Sequence, residues 1–343
     1  MKNEFCQYYT RNAEYIMGDL LKYIPTGVTV IDPFAGAGDL LRLFPHHPTE
    51  GYDIEPQDKN SMQRDTLANP PDYNGKWVVT NPPFRNRFKC SNKAIFNQFN
   101  LDDLYKIAIQ TLIDGSVEGG IVILPLNWLC GRSPKLRVDF LNRYRILELK
   151  IFEHPVFDQV SCTVCTFAFV RAENNKQTFS TRILPDDIEF QVQLQANSQY
   201  RMAAEFFKLI EDPNHLPLSR LLKDKPEVTP NSYLYLRTLD SGSKHGRIGL
   251  TLNKTPFFGR KSDRTCVSVV LPKEYAQLSE SVQGDICNAF NNFLEIMREK
   301  YHSLFLSSYR GAKLSYARKR IGLDVAFKIL SYILKRDFGN YAT

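Results

Sequence analysis

An asparagine followed by two prolines and a phenylalanine, Asn81-Pro82-Pro83-Phe84, comes directly after the β-branched run at 78–80. Prolines fix the direction of the chain and donate no backbone hydrogen bond, so this segment is rigid. The Asn81 side-chain oxygen and the Pro82 carbonyl could together hold the hydrogens of an exocyclic amine on a nucleobase and free its lone pair. Phe84 offers a face on which a base could stack, worth roughly 1–3 kcal/mol. The alternative is a proline-rich turn that only ends a strand.

A second segment that could bind a ligand is the glycine-containing stretch at 32–39, DPFAGAGD. Gly36 and Gly38 would let the backbone approach a ligand closely. The third position of a dinucleotide-binding motif holds Leu41 here, where that motif requires glycine or alanine. Asp32 would repel a pyrophosphate. The stretch therefore indicates a ligand other than a dinucleotide, or a glycine-rich turn in a different α/β fold.

Two acids end neighbouring predicted strands. Asp32 begins the glycine stretch, and Asp53 follows Asp32 by 21 residues, in GYDIEP. An acid at position 32 suits a nucleoside that carries positive charge, and S-adenosylmethionine (AdoMet) has both a sulfonium and an ammonium group. Asp53 is placed to accept hydrogen bonds from ribose hydroxyls. The two acids favour AdoMet as the ligand of the glycine stretch.

The elements that must position these residues alternate along the first half of the chain. Helices are predicted at 14–24, directly after the glycine stretch, and at 101–113. Strands are predicted at VTVID, GYDIEP, 64–67, KWVVT, IVILPL, RILELKIF and CTVCTFAFV. Alternating strands and helices predict an α/β fold with a mostly parallel, Rossmann-like sheet and helices on both faces.

The character of the sequence changes after Val170. The stretch RAENNKQT is polar and is expected to leave the sheet. We therefore predict one domain at 1–178 and a second, of mixed α+β class, at 179–343. The second domain is expected to contain helices at 200–210 and 283–302.

The charge of the chain is concentrated in its second half. The formal net charge is +7; residues 171–343 carry 26 Lys and Arg against 18 Asp and Glu, and residues 1–170 carry 18 against 19. This excess indicates a polyanionic partner. The N-terminus lacks the apolar core of a signal peptide, and no apolar run reaches membrane-spanning length. We therefore expect a cytoplasmic protein with reduced thiols and no membrane contact.

Cys162 and Cys165 form a CxxC pair within a β-rich run. No second Cys or His pair stands at ligand spacing, so we expect buried structural thiols and no metal site.

Taken in order, the motifs resemble those of AdoMet-dependent DNA adenine-N6 methyltransferases of the gamma arrangement, in which a target-recognition domain follows the catalytic one. The resemblance runs from about Phe5 to Val170. It implies that 1–178 binds AdoMet and that 179–343 recognises DNA. It also implies in-line methyl transfer to N6 of a flipped adenine, without a covalent intermediate or a metal. The expected partner is double-stranded DNA, and a separate cognate restriction endonuclease is a further candidate partner. The expected state is a monomer in a bacterial or phage-infected cell.

The resemblance assigns roles to individual positions. QYYTR at 7–11 resembles the element that covers the methionine part of the cofactor, with Arg11 where the family has proline. RDTL at 64–67 resembles the element whose acid meets the cofactor's adenine. Phe84 stands where relatives often have tyrosine, and Phe157 where they place a second aromatic against the flipped base. The implied cofactor-binding residues are Tyr9, Thr10, Asp32, Phe34, Ala35, Gly36, Gly38, Asp53, Ile54, Asp65, Thr66 and Asn81. The implied catalytic residues are Asn81, Pro82, Pro83, Phe84 and Phe157.

Three basic segments, at 85–93, 253–264 and 309–320, interleave cations with aromatic residues, which fits contact with nucleic acid. The alternative for each is a solvated charged surface. The predicted DNA contacts are Arg85, Arg87, Lys89, Lys254, Arg260, Lys261, Arg318, Lys319 and Arg320.

Other activities fit the same motifs. The clamp could act on RNA, on cytosine N4, or on a protein glutamine amide, although enzymes of the last kind carry a smaller accessory domain that is usually N-terminal. A catalytically inert, methyltransferase-like protein that only binds nucleic acid is a further alternative, against which the intact Asn81 and the two acids argue.

Overall fold

The computed structural model of the protein describes residues 10–91, 93–131, 133–157, 160, 162–172, 176–240, 247–309 and 317–342. The chain divides into two compact units. The first unit comprises Met1–Arg201 with Arg310–Ala317, and the second comprises Met202–Tyr309 with Arg318–Thr343. The domain boundary expected at 178/179 falls within a strand of the first unit, Lys176–Leu184.

A nine-stranded sheet forms the centre of the first unit. Its strands are β1 Val30–Asp32, β2 Thr49–Asp53, β3 Ser61–Gln63, β4 Trp77–Thr80, β5 Gly119–Pro125, β6 Tyr144–Phe152, β7 Val164–Arg171, β8 Lys176–Leu184 and β9 Ile188–Gln195. Their order is β3-β2-β1-β4-β5-β7-β6-β8-β9. The first five are parallel, which confirms the predicted parallel sheet, and β7 runs antiparallel to both of its neighbours.

The central strands are apolar because protein covers both of their faces. Every residue of β1, β4 and β5 is buried. One face packs against α1 (Ala13–Met17) and the 3₁₀ helix Gly18–Tyr23, which together occupy the helix predicted at 14–24. Val79 and Ala168 belong to the hydrophobic cluster on this face.

The other face is covered by aromatic side chains from short helices. The other α-helices described in this unit are α2 Ala94–Phe99, α3 Leu104–Asp114, α4 Asn127–Cys130 and α5 Lys135–Leu141. Trp128 stacks on Phe167 of β7 with ring centroids 5.1 Å apart, and Phe140 meets the same ring edge-on at 5.9 Å. Phe167 and Ala168 are adjacent in the strand and therefore point to opposite faces.

The sheet continues beyond the point where we expected the chain to leave it. β8 pairs in parallel with β6, and β9 pairs antiparallel with β8. Along β8, buried residues alternate with more exposed ones, including buried Phe179 and Ile183. This is the period of a strand with one covered face, and it outweighs the polar residues that precede it.

The second unit has a mixed α+β composition. A four-stranded antiparallel sheet has the order β10-β13-β11-β12, and a separate two-stranded ladder pairs β14 with β15. The strands are β10 Ser219–Arg220, β11 Leu234–Arg237, β12 Gly249–Leu252, β13 Cys266–Val270, β14 Ser307–Tyr309 and β15 Arg318–Arg320. The helices are α6 Ala204–Leu209, α7 Glu280–Tyr301 and α8 Leu323–Asp337. A single core joins the sheet to the helices, with Leu236, Phe290 and Ile329 fully buried in it.

None of the helices in the described ranges is long and apolar enough to cross a membrane.

Candidate active site

Three polar residues meet where β1, β2 and β4 end. Asp32 is the last residue of β1, Asp53 is the last of β2, and Asn81 follows β4 directly. The strands are parallel and adjacent in the sheet, so their carboxyl ends lie at one edge. From β1 the chain passes to β2 on one side, and from the adjacent β4 it passes to β5 on the other side. Open α/β sheets bind ligands at such a point, where the direction of the connections reverses.

The glycine stretch connects the two acids through backbone hydrogen bonds. Phe34 N donates to Asp32 Oδ1 at 3.0 Å, and Gly36 N donates to Asp53 Oδ2 at 2.9 Å. Gly36 and Gly38 have φ angles of 52° and 77°, a conformation that residues with a Cβ rarely adopt. The loop therefore needs its glycines in order to turn tightly over the strand ends.

The prediction of a helix directly after the glycine stretch is wrong. A three-residue 3₁₀ helix, Leu41–Leu43, stands there instead. Pro45 restricts the preceding Phe44, and Pro48 follows three residues later. The two prolines keep the segment from continuing as a longer helix.

Asp32 is buried, with 1% of its surface exposed. Loss of hydration raises its pKa to about 7, although hydrogen bonds from Thr80 and Phe34 to the carboxylate oppose the shift. The nearby carboxylate of Asp53 raises the pKa of Asp32 further. A positively charged ligand beside Asp32 would favour its ionised form.

Asp53 uses both carboxylate oxygens to hold loop backbone. Oδ2 accepts from Gly36 N at 2.9 Å and Oδ1 accepts from Glu55 N at 2.8 Å. Each carboxylate oxygen has two lone pairs and can accept from more than one donor.

The Asn81-Pro82-Pro83-Phe84 segment begins immediately after the buried strand β4. The Asn81 amide donates from Nδ2 to the buried Thr10 hydroxyl at 3.2 Å, which orients the amide plane. Pro82 is buried and Pro83 is half-buried. The half-buried ring of Phe84 meets Tyr105 edge-on, with centroids 6.2 Å apart.

The strand ends, the glycine stretch and the proline motif contribute residues to the wall of one cavity of about 530 Å³. The predicted residues that line it are Thr10, Asp32, Phe34, Ala35, Gly36, Asp53, Ile54, Asp65, Thr66, Asn81, Pro83 and Arg85. Gly38, Pro82, Phe84 and Phe157 are not part of its described wall. Tyr9 lies outside the described residues.

One side of the cavity comes from a segment that sequence reasoning did not assign to it. Cys90, Ser91, Ala94, Ile95, Phe96, Gln98 and Leu104 line this side, from α2 and its flanks. The segment follows the proline motif closely, and that proximity was the available signal. Its residue types alone carry no indication of a ligand.

Asp65 and Thr66 lie just after β3, which ends at Gln63 rather than spanning the predicted 64–67. Asp65 is exposed, and its Oδ1 accepts from Leu67 N and Ala68 N at 3.2 Å each. The buried Thr66 hydroxyl donates to Pro33 O at 2.7 Å and so ties this segment to the glycine stretch.

Phe157 is 5% exposed and packs in the hydrophobic cluster that also contains Phe152. Its predicted contact with a flipped base stays a prediction.

The predicted DNA-contacting residues differ in exposure. Lys89, Lys254, Arg260 and Lys261 are exposed, while Arg85, Arg87, Arg318 and Arg320 are half-buried. Lys254 pairs with Glu280 at 2.9 Å. Lys319 is 7% exposed, with its ammonium 3.5 Å from the Ser308 hydroxyl. Residues 310–316 of the third basic segment lie outside the described residues.

The described parts of the chain contain no group of three or more His, Cys, Asp or Glu residues that could hold a metal ion. Within the same parts, neither Cys162 nor Cys165 forms a disulfide, and they are half-buried and buried respectively.

Comparison with known proteins finds structural likeness only. No protein-family model matches the sequence. No curated protein matches it either.

Several solved structures resemble part of the chain. One is described as the modification subunit of a type I restriction enzyme from Vibrio vulnificus, with 13% identity, 59% of this chain and 51% of that chain covered, and a TM-score of 0.42. A chain from a type I restriction-modification complex has 15% identity and a TM-score of 0.41, with 58% of this chain and 49% of that chain covered. A type I methyltransferase subunit from Streptococcus thermophilus has 15% identity and a TM-score of 0.38, with 60% of this chain and 54% of that chain covered. The matched region spans about half the length of these chains.

Proposed function

We propose that this chain is an AdoMet-dependent DNA methyltransferase that methylates the exocyclic N6 of adenine at specific sites in duplex DNA. The observation that carries the proposal is the shared cavity: Asp32, Asp53 and Asn81 come from three different strand ends and line the same 530 Å³ space. The order of the sequence motifs gives independent support.

The cavity suits AdoMet in size and chemistry. Ligand sites commonly measure about 300–1,000 Å³ and combine apolar walls with a few polar groups. Phe34 and Ile54 supply apolar wall, and Asp53 supplies an anionic acceptor for ribose hydroxyls. Asp32 supplies a carboxylate that favours a cation. When bound, AdoMet provides an electrophilic methyl group.

In this proposal, Asn81 and Pro82 act on the target amine. The amine lone pair is delocalised into the base, so the amine is a weak nucleophile. Acceptors at the Asn81 amide oxygen and the Pro82 carbonyl hold its hydrogens and favour a tetrahedral nitrogen. The hydrogen bond from Asn81 to Thr10 supports this role, because it fixes the amide before substrate arrives. The ring of Phe84 stacks on the base.

The second unit is proposed to recognise and hold DNA. It contains the exposed cations Lys254, Arg260 and Lys261, and the second half of the chain carries the excess positive charge. We propose that the protein acts as a monomer in the cytoplasm, as the modification enzyme of a restriction-modification system with a separate endonuclease.

The test is transfer of labelled methyl from AdoMet to duplex DNA and to RNA, followed by digestion and identification of the labelled nucleoside. The proposal expects N6-methyladenine from DNA only. N4-methylcytosine would place the reaction on the other exocyclic amine, and label in RNA alone would contradict the DNA substrate. AdoMet binding without transfer to either would indicate an inert relative.

A further inference from the structure

The phenyl ring of Phe88 stands out into solvent. It is 87% exposed, whereas the next most exposed large hydrophobic side chain among the described residues, Ile296, is 57% exposed. Single exposed hydrophobic residues are ordinary on protein surfaces, so exposure alone has no functional meaning. The surroundings of Phe88 give it one.

The turn that carries Phe88 is held firmly in place. Phe88 lies in the 3₁₀ helix Arg87–Lys89, and its backbone N–H donates to Asn86 Oδ1 at 3.1 Å. The Arg85 guanidinium closes the turn by donating from Nε to Lys89 O at 3.0 Å. Arg87 N donates to Asp102 O at 2.8 Å, which fixes the turn to the segment before α3. The ring is therefore presented on a supported scaffold.

The turn also adjoins the cavity. Arg85 at its start and Cys90 at its end both line the cavity wall, and the turn follows Phe84 directly. Phe88 lies between these two anchors and outside the wall. An exposed ring is thus held within a few residues of the groups proposed to act on a target base.

The charges next to the ring match a nucleic acid. Arg87 and Lys89 are its immediate neighbours in the chain. Cations flanking an apolar wedge suit DNA, because phosphates lie on either side of a base step. Removing one base from a duplex leaves a gap in the stack, and apolar side chains such as phenylalanine insert between base steps.

We propose that Phe88 inserts into the DNA base stack beside the target and fills the space vacated by the extruded base. This inference rests on the proposed function, since it requires a base to leave the duplex. Phe88 is a positioning residue in this account: it stabilises the extruded state and does not touch the reacting atoms.

The test uses a synthetic duplex that carries a sequence methylated by the wild-type protein, with 2-aminopurine beside or at the target to report extrusion. Phe88→Ala should lower the methylation rate of the paired duplex about 5- to 150-fold, the range for loss of one base–aromatic stack. It should also remove the rise in 2-aminopurine fluorescence. Phe88→Trp should retain both. A second duplex, with an abasic site opposite the target, should restore the rate of Phe88→Ala to within about threefold of wild type, because extrusion there needs little help.

Ile188→Ala is the matched control, because Ile188 is also exposed but lies in β9 at the far edge of the sheet. It should change neither rate nor fluorescence. The inference is overturned if Phe88→Ala matches wild type on the paired duplex, or if it is equally slow on both duplexes. A wild-type protein that methylates no DNA would instead contradict the proposed function.

Discussion

The Thr80 hydroxyl donates a 2.7 Å hydrogen bond to Asp32 Oδ1, and so joins the ends of β4 and β1 through a buried carboxylate. Phe34 N donates to the same oxygen. Burial nevertheless dominates, and the pKa of Asp32 is raised from 3.8 to about 7. The carboxyl is thus poised to change charge near neutral pH, at the wall of the proposed cofactor cavity.

Affinity for AdoMet is therefore expected to depend on pH through Asp32. A group with a pKa of about 7 is about one-tenth ionised at pH 6 and nine-tenths ionised at pH 8. If the ionised form attracts the cationic cofactor, the association constant should rise about tenfold over this interval. Titration calorimetry measures it directly. The affinity of Asp32→Asn should lack this contribution. Any pH dependence that remains in the variant comes from groups other than Asp32, such as the cofactor's own amino group, and is subtracted from the wild-type result.

The raised pKa of Asp32 also predicts that the free energy of unfolding of the cofactor-free protein depends on pH. The folded-state pKa lies above the unfolded value of 3.8, so stability from this group is fully present below pH 4. It is lost as pH rises toward 7 and then levels off. Asp32→Asn keeps an acceptor for both hydrogen bonds to Oδ1 and should flatten this part of the curve. A variant that follows the wild-type curve would show that folding does not raise the pKa of Asp32.

Asp53→Asn should weaken AdoMet binding. A charged acceptor for hydroxyl groups is worth about 1.5–3 kcal/mol, or roughly a 10- to 150-fold change in dissociation constant. The amide can still accept from one of the two loop N–H groups, so the fold should survive, and thermal melting checks this. An unchanged dissociation constant in a folded variant would remove Asp53 from the cofactor site.

Asn81→Ala should separate chemistry from cofactor binding. Methyl transfer is expected to fall by about 100- to 1,000-fold or more, because one of the two acceptors for the target amine is lost. The resemblance also counts Asn81 among the cofactor-binding residues, but its proposed role is to hold the target amine, so the AdoMet dissociation constant should stay within about threefold. Stability should fall by about 1 kcal/mol with loss of the bond to Thr10. Asn74→Ala, at an exposed turn, is the control and should behave as wild type. Loss of AdoMet binding in folded Asn81→Ala would contradict the assignment.

Much of the first unit follows from local sequence. A short strand whose last residues are buried ends in an acid at both Asp32 and Asp53, and parallel pairing then brings these ends together without further information. The glycines could be assigned to a close turn because few other residues accept their backbone angles. The proline motif after β4 likewise places Asn81 at the same edge.

The remainder depends on tertiary structure. Pro45 and Pro48 end the segment after the glycine stretch, whereas the pattern of leucines before them resembles a helix start. The polar residues that precede β8 concealed two further strands of the sheet. α2 forms a cavity wall only because the chain folds back after the proline motif. The residue types in Ala94–Phe99 give no indication in the sequence that this helix borders a ligand site.

Salt dependence tests the proposed role of the second unit. Replacing both Arg260 and Lys261 with glutamine should reduce the slope of log K against log salt by up to about 1.8, since each phosphate contact contributes about 0.9. The effect should be equal for specific and non-specific DNA, because phosphate contacts carry no sequence information. Lys254→Gln should change the slope less, because Lys254 is paired with Glu280. Unaltered slopes in the double variant would identify these cations as solvated surface.

The most direct test of the central claim is the modified-base content of DNA from a host that lacks its own methylation. Genomic DNA contains every short recognition sequence, so the test does not require the site to be known in advance. Expression of the wild-type chain should produce N6-methyladenine confined to one recurring sequence, and Asn81→Ala should produce none above background. Methylated DNA from both strains, or unmodified DNA from the strain that expresses soluble wild-type protein able to bind AdoMet, would contradict the account.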